Sequence, residues 1–375
     1  MLQHFRQSPH TDNLLTPEIA IIIPTFNEIA NIEPLLEKLE SALNGIRWEA
    51  VFVDDDSPDG TAKVLTKRSR ADMRVRALRR VGRRGLASAV TEGILSTSTP
   101  YVAVIDGDMQ HDERVLPQML EALRNQDADL VVGSRYVAEG SVEGWHQTRQ
   151  RISRIATVLA RLVVKAELAD PMSGFFMIRR EAFDASVHNL SNQGYKILLD
   201  LIASSPRPLR IKEVPYTFRS RQHGESKLDA LVTLEYLSLL LDKLCGKWVP
   251  VRFVLFAAIG GLGVVLHMAI LALFLSVGAV SFAVAQSIST LTAMTFNFFV
   301  NNTLTYRDRR LKGFGPVLRG LLTFCAICSV GAVANVGIAN VFFVSNYSWW
   351  LSALAGILVG AVWNYGVTSI ITWRK

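Results

Sequence analysis

The chain has 375 residues, half of them hydrophobic, with 40 Lys plus Arg against 33 Asp plus Glu and a net charge of +7. Such a composition excludes a disordered chain. The charge is also local: residues 1–251 carry 32 basic and 32 acidic side chains, whereas residues 252–375 carry eight basic ones and a single acid, Asp308. A basic nucleic-acid-binding domain is therefore excluded as the source of the excess, and two unlike segments share one chain.

The opening stretch MLQHFRQSPHTDNLLTP contains no apolar run of the secretion-signal kind, so residues 1–17 read as a tail and residues up to 251 as cytosolic. Cys245, the sole cysteine of that part, fits a reducing compartment. Four short runs rich in Ile and Val then alternate with helical patterns: AIIIP (20–24), AVFVD (50–54), YVAVID (101–106) and DLVVGS (129–134). Alternation of this kind predicts an α/β domain with a mostly parallel sheet. In open sheets of that class the ligand crevice lies beyond the carboxyl ends of the strands, which directs attention to the residues after each run.

Those residues are acidic. The first run leads into PTFNE, with Pro24, Phe26, Asn27 and Glu28; the second leads into DDDSPDGT. Ser57, Pro58, Asp59 and Gly60 suit a strand-to-helix turn. Asp54 and Asp55 are harder to assign to a turn, because neighbouring carboxylates repel unless a base, a sugar hydroxyl or a cation offsets them. The third run ends in Asp106-Gly107-Asp108-Met109-Gln110-His111. A hairpin turn is one reading of Asp-Gly. The other is a divalent cation site, in which two carboxylates two residues apart converge on Mg²⁺ or Mn²⁺ with Gln110 as a further oxygen ligand. A helix-like segment, DERVLPQMLEALR, follows and favours the cation.

At this point the sequence resembles the inverting family-two glycosyltransferases, in particular the dolichol-phosphate mannose synthase branch. That branch carries PTYNE, VDDNSPDGT, DADLQHPPE, GSRY, D-x-x-SGF and R-x-x-G-x-SKL in this order. Here they read PTFNE, VDDDSPDGT, DGDMQHDER, GSRY (133–136), DPMSGFF (170–176) and RQHGESKL (221–228). Asp56 replaces the motif's Asn, and DER replaces its proline-rich end. The resemblance implies a GT-A catalytic domain, Rossmann-like, over residues 18–227. It implies that Pro24, Phe26, Glu28, Val53, Asp55 and Asp106 face the nucleotide sugar with Arg219 and Lys227. It also implies that Asp106, Asp108 and Gln110 hold the metal, and that Arg135 joins Asp106 and Asp108 in catalysis. RRGLASA (83–89) is similar to the family's R-x-GLG-x-A helix start, which reads equally as an anion-assisting helix end or a packing turn.

The family's acceptor, a polyprenyl monophosphate, is largely dianionic at neutral pH because its second pKa is about 6. Such an oxygen is already a nucleophile, so the demand falls on cations that bring it beside a sugar diphosphate. Arg135, Arg149 and Ser153 stand where the family binds that phosphate, and Arg221 lies in the last motif. His111 and His223 read as packing groups. The implied donor is GDP-mannose, with UDP-glucose or another UDP-sugar as the alternative, since no residue dictates the base. A processive polysaccharide synthase is disfavoured because its Q-x-x-R-W motif is absent.

The tail reads as an all-α membrane domain of four helices, over residues 252–375. Apolar runs at 253–276, 280–301, 317–344 and 349–371 each exceed the roughly 20 helical residues that cross a bilayer. Arg307, Arg309, Arg310, Lys312 and Arg319 in the second connector set it, and both chain ends, on the cytoplasmic side. Cys325 and Cys328 read as buried small residues rather than metal ligands. Residues 228–251 read as an interfacial amphipathic helix or linker; RISRIATVLARLVV (151–164) shares the pattern, which a core-facing helix also fits, and the stretch abutting the first span is the better interfacial candidate. FNFFVNNTLTYR (296–307) echoes WNYGVTSIITWR (363–374), the sign of a duplicated two-span unit. The tail resembles the GtrA-like membrane module, with Thr303 where Arg is usual. Asn297, Asn301, Asn302, Asn335, Asn340 and Asn364 read as interhelical bonds or as the lining of a lipid path, and the tail as an anchor or a glycolipid flippase. The implied partners are a nucleotide sugar, a polyprenyl monophosphate and the bilayer, with self-association left open and no nucleic acid.

Overall fold

The structure, a computed structural model, describes residues 16–142, 156–161, 163–164, 167–191, 194–220, 236, 239–240, 242–243, 250–277, 282–306 and 309–373. It divides into two compact units, Met1–Leu244 and Cys245–Lys375.

In the first unit the strand runs expected from sequence form and are buried on both faces. Along β1 (Ile19–Thr25), Ile19, Ile21 and Ile23 enter one core while Ala20 and Ile22 enter the other, as a two-residue period requires. β2 (Trp48–Asp54) divides in the same way, Ala50 and Phe52 against Val51 and Val53. Parallel strands covered on both sides read as continuous apolar runs, which is why they stand out in the sequence. The first core is closed by α1 (Ile32–Ala42), α2 (Thr61–Ala71) and α4 (Leu116–Arg124), the second by α3 (Leu86–Leu95), α5 (Arg180–Val187) and α6 (Ile197–Ser204).

The sheet has seven strands: β1 and β2, then β3 (Val75–Arg79), β4 (Tyr101–Val104), β5 (Leu130–Ser134), β7 (Phe176–Arg179) and β8 (Ile211–Pro215). Their order is β3-β2-β1-β4-β7-β5-β8, and all pairs are parallel except those of β7. A separate parallel pair joins β6 (Ser141–Val142) to β9 (Thr217–Phe218). The Asp-Gly step after β4 is no hairpin, since β4 pairs with β1 and β7 and its chain runs on into α4. β4 stops at Val104, two residues short of the expected run, which releases Asp106 from the ladder.

The antiparallel β7 positions the site. Because it runs opposite to β4 and β5, the segment before it, residues 170–175, arrives at the same rim where its parallel neighbours end. β8 ends there too and delivers the chain through β9 to Arg219. Of the linker expected at 228–251, Tyr236, Leu239 and Leu240 are described; they pack into a small core with Ala160, Val164, Met172 and Leu199.

Among its described residues the second unit has the helices α7 (Val251–Val277), α8 (Phe282–Thr303), α9 (Phe314–Val344) and α10 (Trp349–Ile371). Among the described residues two helical segments, Val251–Phe274 and Phe314–Ala334, are long and apolar enough to cross a membrane. α8 is as long as a span but carries Gln286, Ser289, Thr292, Asn297 and Asn301.

The sequence echo has a structural counterpart. Gly263 of α7 admits Asn297 of α8 so closely that a methyl group there would overlap the amide, and Gly331 of α9 admits Asn364 of α10 in the same way. Tyr306 and Trp373, which occupy matching places in the two echoes, stack at 4.1 Å and 6°. Trp373 Nε1 donates to Asn302 Oδ1 at 3.0 Å, and Leu311 N–H donates to the same oxygen at 2.9 Å. Asn302 thus bonds between segments. Asn301 accepts from Thr305 at 2.8 Å within its own helix end. The Asn335 and Asn340 side chains lie outside the described set.

Gly331→Ala should lower stability in detergent by about 1–3 kcal/mol, the usual cost of overpacking a tight contact. Asn364→Ser in the same chain should restore most of the loss, since it removes the atoms the new methyl meets; thermal unfolding of both variants is the check.

Candidate active site

Three turns at the rim place a non-glycine residue in left-handed backbone: Asn27 at φ 59°, Asp56 at 59° and Met109 at 66°. Asn and Asp tolerate this conformation, but for Met109 it costs about 1–2 kcal/mol. Strain of that kind persists where the surroundings over-determine it. Met109 is buried, and it separates Asp108 from Gln110.

The turn after β2 is built from its own acids. Asp54 accepts from the Ser57 N–H at 3.0 Å and from the Ser57 hydroxyl. Asp59 accepts from Thr61 N–H at 2.9 Å, and Ser57 Oγ accepts from Asn27 N–H at 2.9 Å, which ties the β1 and β2 turns together. Asp54 therefore belongs with the turn residues. Asp55 is offset by a cation of the chain itself: the buried Arg80 donates to its Oδ1 at 2.8 Å, and Gly85 N–H donates to Oδ2 at 2.8 Å. Burial pushes the Asp55 carboxyl above its ordinary value, against the pull of Gly85 and Arg80. Asp56 pairs with Arg79 at 2.7 Å.

Of the other expected nucleotide residues, Val53 turns its side chain into the second core, where it would meet any Cβ added at Gly93, so only its main chain can line a pocket. Phe26 lies under the Arg84 guanidinium, 4.3 Å from ring centre to carbon. Glu28 accepts from Asn31 Nδ2 at 2.7 Å, and Pro24, the last residue but one of β1, is half-buried.

The loop after β4 holds the candidate cation ligands. His111 is fully buried, stacked on Phe175 at 5.2 Å and edged by Tyr216 and Phe218. Its Nδ1 accepts from the Asp106 N–H at 3.1 Å, which requires the proton on Nε2, 3.7 Å from Asp106 Oδ2. Burial pushes His111 down to about 4, so the ring is neutral at pH 7. The packing role read from sequence thus includes orienting Asp106. Gly174 stands opposite: a Cβ there would lie 3.1 Å from Asp106 Oδ2, so glycine keeps that oxygen approachable. Gln110 N–H donates to Asp108 Oδ1 at 3.2 Å. Its side-chain nitrogen donates to the Arg219 carbonyl at 3.0 Å, which leaves the amide oxygen for a cation.

Among the described residues no three His, Cys, Asp or Glu side chains gather into a metal centre. Two carboxylates plus one amide oxygen form an all-oxygen set that fits Mg²⁺ or Mn²⁺, whose remaining positions go to phosphate and water.

Arg135 follows β5 and is 8% exposed. Its Nε and Nη2 donate to the two oxygens of Asp170 at 2.7 and 2.8 Å, a bidentate pair. Burial opposes the charge, the Asp170 carboxylate outweighs it, and the guanidinium stays charged. Asp170, fully buried, is held by its own N–H to Glu213 at 3.1 Å. Arg219 donates to Asp112 at 2.7 Å and to Glu113 at 2.8 Å. Arg149, Ser153, Arg221, His223 and Lys227 lie outside the described residues.

Sequence reasoning missed Arg80, the role of Asp170, and the acids that hold Arg219. Asp170 had a signal in the DPMSGFF motif, without a partner. Arg80 had none, for an ion pair across 25 residues leaves no local pattern.

The Pyrococcus furiosus dolichol-phosphate mannosyltransferase is 32% identical to this chain over 362 residues, 95% of this chain and 99% of that protein. The chain belongs to the dolichol-phosphate mannosyltransferase family. The Saccharomyces cerevisiae dolichol-phosphate mannosyltransferase is 34% identical over 248 residues, 64% of this chain and 91% of that protein. Residues 20–186 match the model of glycosyl transferase family 2, and residues 255–373 match that of the GtrA/DPMS transmembrane domain. The family member is thus a glycosyltransferase whose chain continues into a membrane domain. Among solved structures, glucosyl-3-phosphoglycerate synthase from Mycobacterium tuberculosis, in complex with Mn²⁺, uridine diphosphate and phosphoglyceric acid, is 21% identical with a TM-score of 0.45. The match covers 60% of this chain and 78% of that one.

Asp170→Ala would strand the buried Arg135 charge, and removing one partner of such a pair costs about 3–5 kcal/mol. Denaturant unfolding of the full chain should show a loss of that size, whereas Arg207→Ala, an exposed partner of Asp129, should change stability by less than about 1 kcal/mol.

Proposed function

We propose that this protein transfers mannose from GDP-mannose to a polyprenyl monophosphate at the cytoplasmic face of a membrane, with inversion at the anomeric carbon. The observation that carries the reading is the meeting, at one rim of the sheet, of the Asp106–Gln110 loop, the Arg135–Asp170 pair and Arg219. The family and its relatives' names supply the reaction class; the chemistry of the rim gives each side chain its task.

An acceptor phosphate oxygen attacks the sugar's anomeric carbon as the bond to the donor diphosphate breaks, and nucleoside diphosphate leaves. One displacement gives one inversion. The attacking oxygen is already anionic, so the chain needs no general base, which agrees with the neutral His111 donating toward Asp106. Arg135, held by Asp170 at the end of β5, faces the acceptor phosphate as a fixed positive charge, and Arg149 and Ser153 complete that subsite. Arg219 and Lys227 bind the donor diphosphate. Asp55, held by Arg80 and Gly85, faces the base together with the main chain of Val53, beside Pro24, Phe26 and Glu28. Asp106, Asp108 and Gln110 would hold Mg²⁺ or Mn²⁺, which would supply positive charge beside the departing diphosphate.

In this reading residues 18–227 form the catalytic domain, 228–251 a linker at the bilayer surface, and 252–375 a membrane domain crossing four times. The basic connector around Arg309, Arg310 and Lys312 and both chain ends then lie in the cytoplasm, on the side of the nucleotide sugar.

Asp108→Ala should reduce transfer by at least about a hundredfold while leaving thermal stability near that of the parent chain, the pattern of a lost electrostatic group. Strict chelation should stop transfer by the parent, and added Mg²⁺ or Mn²⁺ should restore it. Full turnover after chelation would sink the metal assignment. Product formation from GDP-mannose beside UDP-glucose fixes the donor, and faster transfer from UDP-glucose would overturn the mannosyl reading.

A further inference from the structure

Asp112 and Glu113 stand where the family motif has prolines, and the structure gives both a use. Arg219 Nη2 donates to Asp112 Oδ1 at 2.7 Å, and Arg219 Nη1 donates to Glu113 Oε2 at 2.8 Å. The main chain is tied at the same point: Arg219 N–H donates to the Gln110 carbonyl at 2.8 Å, while Gln110 Nε2 donates to the Arg219 carbonyl at 3.0 Å. Asp112 is also bound by Arg114, through Nε at 2.8 Å and Nη2 at 2.7 Å. Both acids are nearly inaccessible, and the Arg219 side chain is 21% exposed.

Two carboxylates beside a diphosphate site would repel the donor if they stood alone. Here two acids meet two arginines, so the quartet is neutral. Proline at the same positions offers no side-chain acceptor, and an arginine opposite it would choose among rotamers until substrate arrived. In this chain the guanidinium is fixed on two anchors before the donor binds, with Nε–H and one Nη2 hydrogen not used in these bonds.

We propose that Asp112 and Glu113 are positioning residues that seat Arg219 against the cation loop, so that the donor diphosphate meets its arginine and its metal ligands as one preassembled unit. Preorganisation of this kind raises affinity by removing the ordering cost from the binding step. The inference rests on the reading of Arg219 as a donor-phosphate ligand. It adds that this chain tunes donor affinity through residues outside the family pattern.

Glu113 is the cleaner handle, because Asp112 also caps the turn before α4 by accepting the Arg114 N–H at 3.1 Å. With the full-length protein in detergent, Glu113→Ala should raise the KM for GDP-mannose about tenfold, the effect of one charge-assisted hydrogen bond. The KM for polyprenyl phosphate and the thermal midpoint should stay near the parent values. Glu113→Gln, which keeps one acceptor oxygen but not the charge, should raise the donor KM by less, about threefold. Arg219→Ala should raise the donor KM further, and the double variant Glu113→Ala/Arg219→Ala should be no worse than Arg219→Ala alone, since both act through one guanidinium.

Effects that multiply in the double variant, or a donor KM unmoved by Glu113→Ala while Arg219→Ala raises it, would overturn the proposal. A donor KM unmoved by Arg219→Ala would overturn the reading of Arg219 itself, and the inference with it. If Glu113→Ala fails to fold, calorimetric binding of GDP to the Glu113→Gln chain decides: the proposal expects weakened binding, and affinity equal to the parent's overturns it.

Discussion

Acids crowded at the end of a sheet repel one another, and the catalytic unit is organised around neutralising them from within. Asp55 is met by Arg80, Asp170 by Arg135, and Asp112 with Glu113 by Arg219 and Arg114. Each pair joins segments distant in sequence, so neutralisation also fastens the rim. Buried pairs of this kind are weak sources of stability, because desolvation offsets much of the Coulomb gain. Their consequence here is geometric: Arg80, Arg135 and Arg219 are each fixed in one position by a carboxylate.

The sheet contributes the other half of the arrangement. Parallel strands bring the ends of β1, β2, β4 and β5 to one edge, and a single reversed strand brings a fifth segment to that edge from the opposite direction. The Asp106–Gln110 loop is then locked between two neighbours. His111, neutral and stacked on Phe175, holds Asp106 from one side, while Gln110 and Arg219 exchange bonds on the other.

Much of this was legible in the sequence for physical reasons, and the gaps have reasons too. β1, β2, β4 and β5 were visible because burial on both faces demands unbroken apolar runs. β3, whose residues Arg76, Leu78 and Arg79 lie toward the sheet edge, and β7, four residues that run straight into a helix, gave no such run. The candidate cation ligands stood out because Asp106, Asp108 and Gln110 are close in sequence. The arginines that answer the acids were not, since Arg80, Asp170 and Arg219 find their partners across 25 to 107 residues. Arg219, assigned to phosphate from its motif alone, proved to have carboxylate neighbours that the motif does not carry. In the membrane domain the duplicated Asn was evident, but its glycine partner in the preceding helix was not, because a single Gly in an apolar run has no distinguishing context.

The antiparallel placement of β7 also bears on how this architecture can vary. The chain leaves the rim at Arg135 and returns to it at Asp170, and the same two residues are joined by a bidentate ion pair. The two ends of the excursion between them are therefore clasped together at a position fixed by β5 and β7. Within it, β6 pairs with β9 and Leu168 enters the second core, so its two ends are also tied to the unit. A change in the length of the chain between these ends thus meets a fixed boundary on each side, and the ion pair keeps the Arg135 guanidinium in place whatever joins them.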